Sequence, residues 1–405
     1  MPTRRGWGMV AGCAAVIVLG RLLGLVDLYM VGVCGILLTA VAVGWVRLAR
    51  VEVEATRRLR PNRVPVGAPA SVEVSMRNAS RRRSPAMNAF DQFDDGRLNA
   101  SWLVAPIAGG ETVRTSYPLP TERRGVFPVG PLRVELLDPF GLALTRVEVL
   151  ASTTLTVHPL AEVIASIPRG RGGGAQGGSE RPPVRGQSGD DFYALRPYAA
   201  GDDLRRVHWP STARRGEIMI RQDDHPWQDR TAVLLDVRGA TPPALEAAVS
   251  AAASVLSSAG CGLVRLVHPT EGPSGPAISD SGDGTGPAHL SAMLDHLAAV
   301  RAGQDGEAVF GQALGRLRDT PGGGTLVVVT CAAAGPELEL VAAMSPRFSP
   351  VIVVAVGSGG AVLARGVRGW VVPLVPGGSF AKAWDTRCLP VRPRRQGAVL
   401  PGSAR

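Results

Sequence analysis

The chain has 405 residues, room for two or three domains, and its 45% apolar content suits a folded protein with sizeable cores. Net charge is +10, carried almost wholly by arginine because Lys382 is the only lysine; genome composition alone produces such a bias, so it is no nucleic-acid signature. The cysteines Cys13, Cys34, Cys261, Cys331 and Cys388 are widely spaced and odd in number, which argues against a disulfide framework or a zinc site and suits a reducing compartment.

Two apolar runs open the chain. Trp7 to Val26 is broken only by Arg21, and Leu28 to Val46 is apolar throughout. Each is close to the ~20 residues that a helix needs to cross a bilayer. Arg4 and Arg5 precede the pair, and Arg47, Arg50, Arg57 and Arg58 follow it. Residues 1–50 are therefore expected to form a transmembrane helical hairpin with both ends in the cytoplasm. That makes a two-pass protein of the cell inner (plasma) membrane whose soluble domains are cytoplasmic. "VAGC", ending at Cys13, looks like a lipoprotein box, but too few residues precede it to form a hydrophobic region. The basic run from Arg47 to Arg63 is expected to lie on anionic lipid.

Residues 51–160 change rhythm. "VEVEA", "ASVEVSMRN", "ETVRTSYPL", "LRVELLD" and "TTLTVHP" alternate apolar and polar residues with a period of two. Short alternating strands between turns predict an immunoglobulin- or fibronectin-like β-sandwich. Phe90, Phe93, Trp102, Tyr117, Phe127 and Phe140 are expected in its core, and "NASRRRSP" in an exposed connection. Residues 161–187, which include "PRGRGGGAQGGSERPPVRGQ", read as a Gly/Arg/Pro-rich linker. No GK[ST] follows its glycines, so it is not a phosphate-binding loop.

Residues 231–385 alternate buried strands with helices. "TAVLLDV", "GLVRLVH", "GTLVVVTC", "PVIVVAV" and "GWVVPL" are the strands. "PPALEAAVSAAASVLSSAG", "HLSAMLDHLAAVRA", "EAVFGQALGRLRD", "PELELVAAM" and "SFAKAWD" are the helices. "PTEGPSGPAISDSGDGTGP" reads as a loop, and 386–405 as a disordered basic tail. The pattern predicts a doubly wound α/β sheet, which takes ligands beyond the carboxyl ends of its strands, where Asp236 lies.

Between linker and sheet, residues 188–230 hold "GDDLRRVHWPSTARRGEIMIRQDD". As an enzyme site, His208 with Asp202 or Asp203 would supply acid and base for an uncharacterised hydrolase, yet no nucleophile or metal motif accompanies them. As a nucleic-acid site, Arg205, Arg206, Arg214, Arg215 and Arg221 would bind phosphates beside Trp209, but interleaved acids cancel much of their field. As a clasp or partner surface the mixture is coherent. Gly201 permits a turn, and Asp202 and Asp203 cap a helix or pair with Arg196, Arg205 or Arg206. Trp209, Tyr193 and Tyr198 pack on the α/β domain, and "EIMIRQDD" enters as a strand. Asp191, Arg214 and Arg221 complete this candidate set.

In order, the parts are a hairpin, a sandwich, "GDDFYALRPYAAGDDLRRVHWPSTARRGEIMIR" and an α/β domain opening on "VLLD". With "RRGVFPVGPL" (123–132) and "DPFGL" (138–142), the chain resembles domain-of-unknown-function family 58. The resemblance implies a von Willebrand factor A-like α/β domain on a membrane anchor, and a MoxR-type AAA+ ATPase as partner. Such domains often bind Mg²⁺ through D-x-S-x-S. Here the stretch reads Asp236-Val237-Arg238-Gly239-Ala240, without either serine, and Cys331 stands where an acid is frequent. No metal and no cofactor are expected. Arg238 is read either as an exposed arginine on a degenerate loop or as a charge offered to a partner's carboxylate. The expected function is that of a non-catalytic membrane-anchored scaffold or adaptor that binds protein, not nucleic acid.

Overall fold

The computed structural model describes residues 1–48, 52–168, 194–198, 204, 207–222, 230–259, 262–272, 275–302, 307–320, 323–332, 336–357 and 369–388. Most of the Gly/Arg/Pro-rich linker and nearly all of the basic tail lie outside them. The chain divides into two compact units, Met1–Leu160 with Asp295–Ala299, and Ala161–Leu294 with Val300–Arg405.

The first unit opens with helices α1 (Arg4–Leu23) and α2 (Val26–Leu48), both long and apolar enough to cross a membrane. Small residues let them approach closely. A methyl on Gly32 would come 2.9 Å from the Cys13 carbonyl oxygen, and one on Gly35 would overlap Cys13 Sγ. Thr39 returns its hydroxyl to the Gly35 carbonyl at 3.0 Å, so it leaves no donor bare in an apolar setting.

The strands that follow are β1 (Val53–Arg60), β2 (Arg63–Pro65), β3 (Ala70–Asn78), β4 (Met87–Phe93), β5 (Leu98–Val104), β6 (Thr112–Leu119), β7 (Gly125–Leu137), β8 (Leu144–Leu150) and β9 (Thr153–His158). One sheet has the order β1-β3-β6, the other β2-β9-β7-β4-β5, with β8 added to β7. The two share a core that includes Val72, Val74, Met87, Leu132 and Leu155. Phe93 is buried, and Trp102, Tyr117 and Phe127 pack on the core. Phe140 does not: it is 64% exposed, because it sits on the β7–β8 turn rather than on a strand.

That turn, "DPFGL", grips the start of α1. Asp138 is buried and accepts from the backbone N–H of Phe140 (2.9 Å) and Ala143 (2.5 Å), which fixes the turn. The fixed turn then presents carbonyls. Thr3 N–H donates to Leu142 O (2.8 Å) and the Thr3 hydroxyl to Gly141 O (2.7 Å). Gly6 lies so close that any β-carbon would overlap the Leu142 carbonyl oxygen. Ala42 and Val46 of α2 complete the contact with Leu142 and Ala143.

A buried ion pair ties the two sheets of this unit together. β1 alternates Val53, Ala55, Arg57 and Leu59 on its inner side, so a guanidinium replaces an apolar group. Opposite it, β4 alternates Met87, Ala89, Asp91 and Phe93 inward. Arg57 Nε donates to Asp91 Oδ2 (3.0 Å), its Nη2 to Asp91 Oδ1, and its Nη1 to Val129 O, Ala151 O and Thr153 Oγ1, each at 2.9 Å. Tyr117 of β6 adds its hydroxyl to Asp91 Oδ2 at 2.5 Å. Burial, reinforced by that carboxylate, pushes the Tyr117 hydroxyl well above its ordinary pKa. The sequence-based placement of Arg57 on a lipid surface is thus overturned. Asp91→Ala, which strands a buried guanidinium, should cost about 3–5 kcal/mol. Urea unfolding of the detergent-solubilised chain measures that loss, and an Arg57→Met/Asp91→Leu variant should recover much of it.

The second unit begins with residues 161–168, which straddle it rather than hang as a linker. Glu162 N–H donates to Ser254 Oγ (2.9 Å) and Ala165 N–H to Asp385 Oδ1 (3.0 Å), while Pro168 O accepts from Thr325 (2.7 Å). Three further elements, β10 (Ala194–Pro197), α3 (Trp209–Arg215) and β11 (Met219–Gln222), form a separate ribbon and helix. The main sheet comprises β12 (Arg230–Asp236), β13 (Leu263–Gly272), β14 (Gly275–Asp280), β15 (Thr325–Thr330), β16 (Val351–Val356) and β17 (Gly369–Leu374). Its order is β14-β13-β12-β15-β16-β17, parallel except for β14. Helices α4 (Pro242–Ser258), α5 (Gly286–Ala299), α6 (Glu307–Asp319), α7 (Pro336–Ala342) and α8 (Phe380–Cys388) connect and follow the strands. β12, β15 and β16 are buried along their whole length, as strands covered on both faces must be.

One segment departs from expectation. "PTEGPSGPAISD" is not a loop but the end of β13 and all of β14, an edge hairpin. Its prolines and glycines hid it, and an edge strand tolerates proline because only one row of its hydrogen bonds is needed. Asp280 at its end meets Arg265 Nε at 2.8 Å. Burial alone would raise the Asp280 carboxyl, but the Arg265 guanidinium and the Gly282 N–H outweigh it and hold the group below its ordinary 3.8. A depressed folded pKa means the stabilisation is full above that ordinary value and is lost as pH falls through the folded one. Asp280→Asn should therefore lower thermal stability at pH 7, and its deficit against the parent should shrink below about pH 4 in a pH series of melting curves.

Candidate functional site

The chain leaves β12 through α4 toward β13 and returns on the other side of β12 as β15. The carboxyl ends of β12 and β15 therefore flank the point where strand order reverses, the usual ligand crevice of such sheets. Asp236 ends β12 and Thr330 ends β15. Asp236 Oδ1 accepts from Arg238 Nε (2.8 Å) and from the Arg238 backbone N–H (3.2 Å). Oδ2 accepts from Arg238 Nη2 (2.9 Å) and the Thr330 hydroxyl (2.8 Å). Four donors occupy the lone-pair sites of this carboxylate.

Arg238 is held from its other side too. Its guanidinium carbon lies 4.1 Å from the centroid of the Phe310 ring on α6. The residue is 9% exposed, so both sequence-based readings of it, an exposed loop arginine and a charge held out to a partner, give way to an internal pair. The cavity beside Asp236, lined by Leu235, Phe310, Ala313 and neighbours, measures about 10 Å³, the space of a single water. Among the described residues no group of three or more His, Cys, Asp or Glu comes together to hold a metal ion. Thr330 and Phe310 escaped the sequence reading; the only signal was a threonine closing a buried apolar strand beside the one that carries Asp236.

The pair yields a double-mutant test. Arg238→Met leaves a buried carboxylate uncompensated and should cost about 3–5 kcal/mol, whereas Asp236→Asn/Arg238→Met should cost markedly less. Chemical denaturation of the four proteins reads this directly; a double-variant loss equal to the sum of the two single losses would show that the pair is not coupled.

The motif segment forms its own small module. β10 and β11 run antiparallel, with Leu195 opposite Arg221 and Arg196 opposite Ile220. β11, from "EIMIRQDD", thus pairs with β10, and among the described residues it makes no pairing with the main sheet. Helix α3 lies between the two strands in sequence. His208 is its N-cap: Nδ1 accepts from the Ser211 backbone N–H (3.3 Å) and lies 2.9 Å from the Ser211 hydroxyl. Residues i and i+3 linked in this way form a capping arrangement. Its own N–H donates to Met219 O at 2.8 Å, which fastens the helix to β11. Gly216, at φ 72°, closes the helix in the left-handed region.

Val207, Met219 and Ile220 are the buried side of this module. Trp209 is 69% exposed, and Leu204, Ile218 and Tyr198 are exposed as well. The expectation that Trp209 packs onto the α/β domain is therefore corrected, since it faces solvent, while Tyr198 is 38% exposed. Arg214 is exposed in the last turn of α3, where a cation suits the helix end. Arg196 and Arg221 are placed by their backbones within the ribbon. Asp191, Tyr193, Gly201, Asp202, Asp203 and Arg205 lie outside the described residues.

Residues 194–331 match the family described as Protein of unknown function DUF58. The match begins at the first residue of β10 and ends just past Thr330, so it holds both the ribbon module and the Asp236 pair. No curated protein matches the sequence. Among solved structures, the CARDB domain of the PF1109 protein from Pyrococcus furiosus is similar at 16% identity, covering 27% of this chain and 94% of that one, with a TM-score of 0.20. The alkylpurine DNA glycosylase AlkC of Pseudomonas fluorescens is similar at 13% identity, over 30% of this chain and 33% of that one, with a TM-score of 0.20. The ApaA protein of Bordetella pertussis is similar at 14% identity, over 26% and 91%, with a TM-score of 0.19.

Proposed function

We propose that this chain, which carries a DUF58 segment at residues 194–331, is a membrane-anchored adaptor that binds a protein partner without a metal. The observation that carries this reading is the closed state of the strand-end crevice. Its carboxylate is saturated by Arg238 and Thr330, and about 10 Å³ is left beside it. Among the described residues this leaves no carboxylate oxygen free to ligate a cation and no cavity there for a small substrate. Binding then falls to the neighbouring ribbon module, whose Trp209, Leu204, Ile218 and Tyr198 stay in solvent although they are large and apolar. Tryptophan and tyrosine beside arginine make the side-chain set most enriched at protein interfaces.

In this reading α1 and α2 are a two-pass anchor in the inner (plasma) membrane, the two facing sheets are an immunoglobulin- or fibronectin-like β-sandwich that serves as a spacer, and the α/β part is a von Willebrand factor A-like domain. The bulk of the chain lies in the cytoplasm, where an ATP-driven partner works. The partner expected from the family resemblance is a MoxR-type AAA+ ATPase, and no nucleic acid is involved.

The test is co-purification of the full-length chain with such an ATPase from solubilised membranes, with nuclease present. Trp209→Ala should weaken capture at least about tenfold, the loss typical of an interfacial tryptophan. His208→Asp keeps a capping acceptor at the same position and should leave capture intact. Undiminished capture by Trp209→Ala would remove the ribbon from consideration as the docking surface.

A further inference from the structure

A cleft of about 770 Å³ opens in the first unit between the last turn of α2 and the β3–β4 connection. Trp45, Leu48 and Glu52 form one wall, and Arg81, Arg82 and Arg83 the other. We propose that this cleft binds the headgroup of an anionic phospholipid, its phosphate held by the arginine triplet and its glycerol end against Trp45 and Leu48. The proposal rests on reading α1 and α2 as membrane spans, and names a ligand for the place where that anchor meets the sheets.

Position comes first. Leu48 ends a helix long and apolar enough to cross a bilayer, and Trp45 precedes it by less than one turn. Trp45 is 42% exposed and Leu48 82% exposed. A tryptophan at the end of a span belongs at the headgroup level. The cleft therefore opens at the depth of the lipid phosphates.

Charge comes second. Arg81, Arg82 and Arg83 are exposed, and among the described residues none of them is within ion-pair distance of a carboxylate. Elsewhere in this unit Arg57, Arg60 and Arg146 do meet an acid, Asp91, Glu73 and Glu135 respectively. Among the described residues of the cleft wall Glu52 is the one carboxylate, so there three guanidiniums face a single acid. Guanidinium groups suit phosphate by shape as well as sign.

Rigidity comes third. Asn78 is 1% exposed and uses its whole amide to hold the arginine loop. Its Nδ2 donates to Arg82 O (2.8 Å) and Ile107 O (2.9 Å), and its Oδ1 accepts from Ser80 N–H (3.0 Å) and the Ser80 hydroxyl (2.8 Å). Ser84 is locked to Ile107 through its N–H and its hydroxyl, both at 2.9 Å. Gly109 approaches so closely that a β-carbon there would stand 2.6 Å from Arg81 O. The loop is thus a fixed platform that aims its side chains without further loss of backbone entropy.

The test uses the full-length chain purified in a neutral detergent and titrated calorimetrically with short-chain phosphatidylglycerol, phosphatidylcholine and inorganic phosphate. Saturable binding of phosphatidylglycerol is expected, with phosphatidylcholine and phosphate weaker by tenfold or more. Arg81→Gln/Arg82→Gln should weaken phosphatidylglycerol roughly 10- to 30-fold, the effect of two basic residues at an anionic surface. Among the described residues these two side chains form no hydrogen bond, so the variant keeps its structure, whereas Arg83 donates to Pro106 O at 3.4 Å and is left alone. Arg58→Gln/Arg114→Gln removes the same charge from exposed strand positions and should bind as the parent does. Equal affinity for phosphate would make this an inorganic-anion site, equal affinity for phosphatidylcholine would make it an apolar groove, and equal loss in both double variants would reduce it to net charge; each overturns the proposal. Alkaline carbonate extraction of cell membranes separately tests the anchor. Release of the chain would sink the spans themselves, whereas retention with no lipid preference would sink the headgroup site alone.

Discussion

At the carboxyl edge of the sheet the arrangement depends on one contact, the closure of the Arg238 guanidinium over the Asp236 carboxylate. A single acid at the end of a buried strand must be compensated, because an isolated charge there is costly. The sequence offers two means, a cation from solution or a cation from the chain. Arg238, two residues downstream, supplies the second, and Phe310 flanks the guanidinium that does so. Once the charge is satisfied internally the carboxylate has no unmet electrostatic demand, and among the described residues the cavity beside it holds about 10 Å³.

The same device recurs across the molecule. Arg57 neutralises Asp91 between two sheets, Arg265 holds Asp280 at the end of an edge hairpin, and Arg230 meets Asp283. Arginine suits this work because its planar fork engages both carboxylate oxygens at once and does not lose its proton when buried. The chain's basic composition therefore says less about external partners than its net charge suggests. Arg57, Arg230, Arg238 and Arg265 each meet an internal carboxylate, so their charge is no signal of an external partner.

The α/β half was readable because its strands are uninterrupted apolar runs and its helices carry proline starts and apolar stripes. The edge hairpin of β13 and β14 was not, since proline and glycine mark loops and tolerated edges alike. The Arg57–Asp91 pair left a visible trace: each charge stands where a period-two alternation calls for an apolar residue, and the two signs are opposite. What sequence could not give was which alternation faced which. Trp209 shows the reverse failure. An aromatic in a dense motif suggests packing, yet the capping of α3 by His208 directs the chain so that Trp209 points outward. Local hydrogen bonding decided an orientation that hydrophobicity alone would have reversed.

The grip of the "DPFGL" turn on Thr3 and Gly6 joins parts of the chain 139 residues apart. During synthesis α1 and α2 leave the ribosome long before residues 138–144 exist. The helical pair must find its place first, with its upstream end untethered, and the turn arrives later to clamp it. The clamp can therefore close only after the helical pair has formed: a pair whose upstream end is misplaced presents no Thr3 for the waiting carbonyls to receive.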